Sequence, residues 1–191
     1  MGAAGHVALS KEIATLYRAD QAERTPHPAH GSAEYRALRE RDVVRQKRIR
    51  AILATGGTLK PSTQYQAAMI LQHSDALADI WQAHELTRAS AEAGYAPARW
   101  LTAASLDRWL MYQGRPQKFG TQIAPDGKRQ RVWDVEPSTS DEERARLDVP
   151  SLAQMQRRAD ELTRTETMPD RIDAPPWLIE EVRRWQAEGC W

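Results

Sequence analysis

The segment from Trp100 to Tyr112 constrains this chain most, because it is apolar almost all the way around a helix and yet carries an acid and a base, Asp107 and Arg108, near its centre. A helix that is apolar on every side is a buried helix. Buried charges are retained only when they are paired or hydrogen-bonded. The segment therefore predicts a buried helix whose two charged side chains belong to a polar site inside the protein.

Helical patterns and capping residues divide the chain into about seven helices. Two of them, near 76–93 and 97–113, are joined by a short turn at Gly94 and predict an antiparallel helical hairpin. Ala124-Pro125-Asp126-Gly127 is a turn sequence and predicts one β-hairpin near 117–135. The expected fold is mainly α, a single-domain helical bundle with one β-hairpin.

The length of 191 residues fits one domain. We expect residues 1–9 to form a disordered or loosely ordered N-terminus, with Ser10 capping the first helix. Residues 10–165 are expected to form the helical domain with its hairpin. Residues 166–191 are expected to form a C-terminal segment whose helix packs on the body.

Composition and charge narrow the classes of partner. The formal net charge is +1, so no global positive field favours nucleic acid. The basic run 39–50 predicts the solvated side of an amphipathic helix, with Val43, Val44 and Ile49 on another face. No apolar run is long enough to span a membrane, and the single cysteine, Cys190, excludes an intrachain disulfide. We expect a cytoplasmic monomer or homodimer that binds neither nucleic acid nor membrane.

Polar groups lie on two helices that the patterns bury: Gln72-His73 at the end of the third, and Asp107-Arg108 in the fifth. Histidine can act as a general acid or base near neutrality, and a buried carboxylate such as Asp107 or Asp42 can fix its tautomer. Arginine presents a planar fork to an anion. Because successive helical residues differ by about 100° in direction, Asp107 and Arg108 cannot face one partner. The sequence predicts a site centred on His73.

The spacing of these polar residues resembles an uncharacterised bacterial domain-of-unknown-function family with a Gln-His…Asp-Arg…Gln-x-(Tyr/Phe)-Gly-Thr-Gln signature. The resemblance spans about residues 16–150. The matching residues are Asp20, Gln21, Arg24, Asp42, Gln72, His73, Asp75, Asp107, Arg108 and the run Gln117-x-Phe119-Gly120-Thr121-Gln122. Phe119 stands where the family usually has Tyr. The resemblance implies that these positions form one motif, but it supplies no activity, cofactor or substrate.

We expect a small-molecule-modifying enzyme that uses non-redox acid–base chemistry, by hydrolysis, elimination or cyclisation, in a buried polar pocket. His73 is expected to transfer the proton, with Asp107 or Asp42 orienting it, and Arg108 is expected to clamp an anion. No cofactor is expected. The residues expected to position the substrate are Gln72, Gln117, Thr121 and Gln122, and the hairpin 117–135 is expected to form a wall or lid.

Two other kinds of site fit the same residues. One is a noncatalytic helical binding module for a peptide or partner protein, which needs Arg108 and Trp109 but not His73. The other is a divalent metal site with His73 and Asp75 as ligands. No His-Glu-x-x-His motif supports the metal site.

A purely structural interpretation also stays open. The charged residues can clamp helices together, with Arg108 paired to Asp42 or Asp75 and Asp107 paired to an arginine of the second helix, Arg45 or Arg48. In an assembly subunit, the apolar side of the last helix is the first candidate for an exposed patch.

Overall fold

A computed structural model describes residues 3–29, 31–166 and 176–187 of the chain. Within these ranges there are eight helices and a two-stranded antiparallel hairpin, so the prediction of a mainly α fold with one β-hairpin is confirmed. The helices are α1 (Ala3–Ala22), α2 (Ala33–Leu53), α3 (Pro61–Leu71), α4 (Leu77–Glu92), α5 (Ala98–Met111), α6 (Asp141–Arg146), α7 (Leu152–Thr165) and α8 (Pro176–Ala187). Strands β1 (Ile123–Pro125) and β2 (Gln130–Val132) pair with Ile123 opposite Val132.

Helix α3 lies at the centre of the bundle and contacts α1, α2 and α4. Its alanines, Ala67 and Ala68, are fully buried, and their small side chains allow the surrounding helices to come close. Apolar side chains from α1 to α5 form one core there: Ile13, Ile49, Ile52, Ala67, Ala68, Ile70, Leu71, Ala83, Leu101 and Ala104. The prediction that α3 is a buried helix is confirmed.

Helices α4 and α5 form the predicted helical hairpin, with Gly94 at a φ of +87° in the connecting turn. Their contact is built from small side chains, and three hydroxyls in it bond to carbonyls one turn back along their own helix. Thr87 Oγ1 lies 2.9 Å from the Ala83 carbonyl, and Thr102 and Ser105 make the equivalent bonds at 2.8 and 2.7 Å. Because these three hydroxyls are satisfied, the two helices pack closely without leaving any of the three unpaired.

The β-hairpin and helix α8 pack at the C-terminal end of α5. Leu178, Val182 and Trp185 of α8 are buried against Trp133 and Met111. The apolar side of the last helix therefore lies on the body of the protein, and is not an exposed assembly patch. Residues 167–175 and 188–191 of the predicted C-terminal segment lie outside the described residues.

Two local predictions differ from the structure in α1 and α2. Helix α1 begins at Ala3, so residues 3–9 are helical where we predicted a loosely ordered N-terminus, and Ser10 lies inside the helix. Val43 and Val44 are 60% and 67% exposed, because the inward stripe of α2 runs through other positions. That stripe consists of Leu38, Asp42, Arg45, Gln46, Ile49 and Ile52.

Other differences lie at α5 and α6. Trp100 is 41% exposed. The first turn of α5 is therefore partly exposed to solvent, where we predicted a helix buried on every side. Helix α6 is not among the predicted helices; a capping box between Ser140 and Glu143 opens it. Across the described residues, no helix combines the length and the apolar composition that crossing a bilayer requires.

Candidate functional site

His73 lies in the turn between α3 and α4, with its side chain 19% exposed. Its Nε2 is 3.8 Å from Oδ2 of Asp20, a fully buried carboxylate on α1. That distance is too long for a hydrogen bond, but it makes Asp20 the nearest carboxylate to the imidazole in the described part of the chain. The predicted orienting residues, Asp42 and Asp107, do not contact His73. Asp20 was not among the residues we assigned to the site.

Gln72 covers one face of the imidazole. Its Nε2 lies 3.3 Å from Nδ1 and 3.2 Å from Nε2 of His73. A donor at nearly equal distance from both nitrogens cannot lie in the ring plane, because the Cε1–H group occupies that position. The amide therefore lies over the ring face. Among the described residues, neither imidazole nitrogen has an in-plane hydrogen-bond partner.

The pKa of His73 lies well below its usual value of 6.5. Burial is the largest cause, since it disfavours the charged imidazolium, and the positive charges of Arg24, Arg108 and Arg39 lower the pKa further. The imidazole is therefore neutral at neutral pH. A neutral imidazole keeps one nitrogen lone pair with which to accept a proton.

Asp42 is the centre of an ion-pair network beside His73. Its carboxylate receives Arg24 at 2.8 Å, Arg39 at 3.2 Å and Arg45 at 3.3 Å, and it is almost completely buried. Arg39 also donates to the backbone carbonyl of His73 at 2.6 Å. The network therefore fixes the His73 turn against α2. Asp42 serves this clamp and makes no contact through which to orient the imidazole.

The basic run of α2 is engaged with acids of neighbouring helices, and is not simply a solvated face. Arg48 pairs with Glu12 of α1, and Arg50 pairs with Asp79 of α4. Arg45 is buried and also reaches Glu23. These contacts explain how a helix with little apolar surface is held in the bundle.

Arg108 stands apart from that network. No hydrogen bond or ion pair joins its guanidinium to any described residue, and its Nε is buried without a partner. Its two Nη atoms also have no partner among the described residues, but they are not fully buried and so reach solvent. Its charge lowers the pKa of both His73 and Tyr112. Arg108 lies one helical turn before Tyr112 on α5, and the Tyr112 hydroxyl donates to Asp75, two residues after His73, so this side of α5 faces the His73 turn. The predicted pairing of Arg108 with Asp42 or Asp75 is wrong.

Asp107 faces away from His73 and organises the loop after α5. Its carboxylate accepts the backbone N–H groups of Lys118 at 2.8 Å, Phe119 at 2.9 Å and Thr121 at 2.9 Å, and the Thr121 hydroxyl at 2.8 Å. Burial raises the pKa of Asp107, and these donated hydrogen bonds oppose the rise. The predicted pairing with Arg45 or Arg48 is wrong. The prediction that Asp107 and Arg108 face different neighbours is confirmed.

The glutamines of the Gln-x-Phe-Gly-Thr-Gln run bond to each other. Gln117 Nε2 donates to the Gln122 carbonyl at 3.0 Å, and Gln117 Oε1 accepts from the Gln122 N–H at 2.8 Å. The Gln122 amide donates to the Ala104 carbonyl at 3.1 Å, which ties the loop to α5. The polar groups of Gln117, Thr121 and Gln122 are therefore used inside the protein, where we predicted contacts to a substrate.

The structure thus divides the predicted site residues into two groups. Gln72, His73 and Arg108 form one group, and Asp42 supports it through Arg39, which bonds to the His73 carbonyl. Asp107 and its loop form a separate network. Asp20 and Arg24 belong to the motif that the resemblance groups together, but we assigned neither a role, and Arg39 was missed. Arg39 lies three residues before Asp42 on α2, and such a pair is typical of a charged helix face. That spacing alone does not mark a site.

Asp75, the second residue of the predicted alternative metal pair, is engaged with other side chains. Asp75 binds Arg39 at 2.7 Å and accepts from the Tyr112 hydroxyl at 3.4 Å. Among the described residues, no group of three or more His, Cys, Asp or Glu side chains is arranged to hold a metal ion.

Comparison of the chain with protein-family models, curated proteins and solved structures finds no match. The resemblance to a bacterial family of unknown function stays a prediction, carried by the quoted residues.

The lowered pKa of His73 gives an expected pH dependence of stability. Below its usual pKa of 6.5, the unfolded chain binds a proton at His73 that the folded protein does not. Stability therefore falls as the pH drops below about 6.5, with a slope approaching 1.4 kcal/mol per pH unit. The H73Q variant lacks this contribution. Denaturant unfolding of both proteins between about pH 7.5 and about pH 5.5 measures the difference.

The comparison with H73Q is needed because Asp20 acts in the opposite direction. Burial raises the pKa of Asp20, so its contribution to stability improves as the pH falls toward the usual carboxyl range. Subtracting the two unfolding curves leaves the His73 contribution. Equal pH slopes for wild type and H73Q contradict a neutral, desolvated His73.

Proposed function

We propose that the protein is a small-molecule-modifying enzyme that uses non-redox acid–base chemistry, with His73 as the proton acceptor and Arg108 as the contact for an anionic group. One observation carries the proposal. A neutral imidazole without an in-plane partner is within electrostatic range of a guanidinium that no described residue neutralises, and this guanidinium is on the side of α5 that faces the His73 turn. A structural clamp pairs its charged groups with one another, as Asp42 and its three arginines do. These two side chains are left with unused hydrogen-bonding capacity.

The neighbouring residues support acid–base work at His73. When the imidazole takes up a proton, the Asp20 carboxylate at 3.8 Å from Nε2 stabilises the resulting positive charge. The positive charges of Arg24, Arg39 and Arg108 weaken the hold of the imidazole on that proton, and an anion bound to Arg108 offsets the effect of Arg108. Gln72, stacked on the ring face, keeps the imidazole in one orientation. Hydrolysis, elimination and cyclisation all use a base and an anion contact of this kind.

The test compares turnover by wild type and variants on a panel of small anionic compounds that carry ester, amide or β-leaving groups, followed by NMR. H73Q is expected to lower any turnover by at least about 10²-fold. H84Q is the matched control, because His84 is a second buried histidine, and its hydrogen bond to the Thr102 carbonyl involves none of the proposed site residues. Its turnover should stay within about twofold of wild type. Thermal unfolding of each variant shows whether the fold is kept.

Two outcomes contradict the proposal. If H73Q retains full turnover, another residue is the base. If a compound is bound but never altered, and binding survives H73Q but is lost in R108Q, the protein is the noncatalytic binding module. The buried pairs of the Asp42 network favour neither outcome, since they serve the fold in both.

A further inference from the structure

The charges around His73 are balanced, with one exception. Four arginines pair with four carboxylates, and each of the eight has at least one partner within the group: Arg24, Arg39, Arg41 and Arg45 with Asp20, Glu23, Asp42 and Asp75. Arg108 has no partner among the described residues. The site therefore offers a ligand one uncompensated positive charge.

The free part of Arg108 is the end of its guanidinium. Its Nε is buried, whereas both Nη atoms reach solvent. Two coplanar N–H donors side by side match the two oxygens of a carboxylate, which they bind with parallel hydrogen bonds. A ligand carboxylate in this position lies on the side of α5 that faces the His73 turn.

A dianionic phosphate fits the same place poorly. Phosphate sites use several free cations or a run of free backbone N–H groups. The run of backbone N–H groups at residues 118–121 after α5 already donates to Asp107. Among the described residues around His73, Arg108 supplies one uncompensated positive charge, so the second negative charge of a phosphate has no free cation to match it.

We infer that the proposed site takes a monocarboxylate, bound by the Arg108 fork with its reacting carbon held next to His73. This names the substrate class of the proposed enzyme and so rests on the proposed function. The binding step itself involves no covalent change, so it can be measured without knowing the reaction.

The experiment titrates the wild-type protein with acetate, with benzoate and with sulfate, at constant ionic strength, while the ring signals of His73 are followed by NMR. We expect saturable shifts with both carboxylates and at least a tenfold weaker effect of sulfate. R108Q should lose carboxylate binding by at least tenfold, and R108K should lose part of it, since an ammonium lacks the planar fork. R88Q is the matched control: Arg88 pairs with Glu92 on the surface of α4, and its removal should leave binding unchanged.

Each other outcome overturns the inference. Sulfate that binds as tightly as acetate indicates a phosphate-like site. Carboxylate shifts that persist in R108Q place the anion elsewhere. No saturable shift with any probe removes the carboxylate subsite. The proposed function fails separately, through turnover that survives H73Q, so the two failures are distinguishable.

Discussion

Replacing Asp107 with alanine is expected to lower the free energy of unfolding by about 3–5 kcal/mol, the range for removing one partner of a buried charged network. The side chain is fully buried, and it is the acceptor for three backbone N–H groups and one hydroxyl of the 118–121 loop. Alanine leaves all four donors without a partner inside the protein. Equilibrium unfolding in urea measures the change.

Two further variants show whether the hydrogen bonds cause this loss. D107N keeps the size of the side chain and one acceptor oxygen, so its loss of stability should be smaller than that of D107A. It should still be less stable than wild type, because its amide NH₂ faces donors that the second carboxylate oxygen accepts in wild type. E92A removes an exposed carboxylate and should change stability by less than about 0.5 kcal/mol. If D107A also stays within that limit, Asp107 does not hold the loop. A D107A protein that remains folded should keep the His73 NMR signals, because the two networks are separate.

Replacing Asp42 with alanine is expected to cost a similar amount, about 3–5 kcal/mol. Asp42 is the common partner of Arg24, Arg39 and Arg45. Without it, three guanidinium groups face one another in a nearly closed space. Their repulsion and lost hydrogen bonds weaken the contact of α2 with α1 and with the His73 turn. Urea unfolding of D42A against wild type measures the loss.

The matched control for Asp42 lies between the same two helices. Glu12 pairs with Arg48 across α1 and α2, but both side chains are well exposed, so E12A should cost no more than about 1 kcal/mol. D42N removes the charge and keeps one acceptor, and it should fall between D42A and wild type. Unlike D107A, D42A should also shift the His73 signals, because Arg39 ties that turn to Asp42. An equal cost for D42A and E12A contradicts the central position of Asp42 in the clamp.

The helical content of this fold is predictable because it is set by local pattern. The buried character of α3, the α4–α5 hairpin with Gly94 and the β-hairpin turn at Asp126-Gly127 all follow from residues close together in sequence. Where prediction failed, a long-range contact decides. Val43 and Val44 are apolar but point to solvent, because the inward stripe of α2 is used for ion pairs with other helices.

The candidate site shows the same division. The angular spacing of a helix alone indicated that Asp107 and Arg108 face different neighbours, and the hydrogen bonds of Asp107 bear this out. The sequence could not show which neighbours those are. Asp107 accepts hydrogen bonds from the backbone of a loop more than ten residues later. Arg108 faces the turn between α3 and α4 that carries His73.

The sequence by itself determined most of the helices, the hairpin turn and the presence of charged groups on buried helices, since these depend on periodicity and local hydrogen bonding. Only the tertiary structure showed that Asp20 is the carboxylate nearest to the His73 imidazole, that Arg39 bonds to the His73 carbonyl, and that the Gln-x-Phe-Gly-Thr-Gln run is held by Asp107. Ion pairs and hydrogen bonds form only within a few ångströms. Whether two such groups come that close depends on how distant helices pack, which no local pattern specifies.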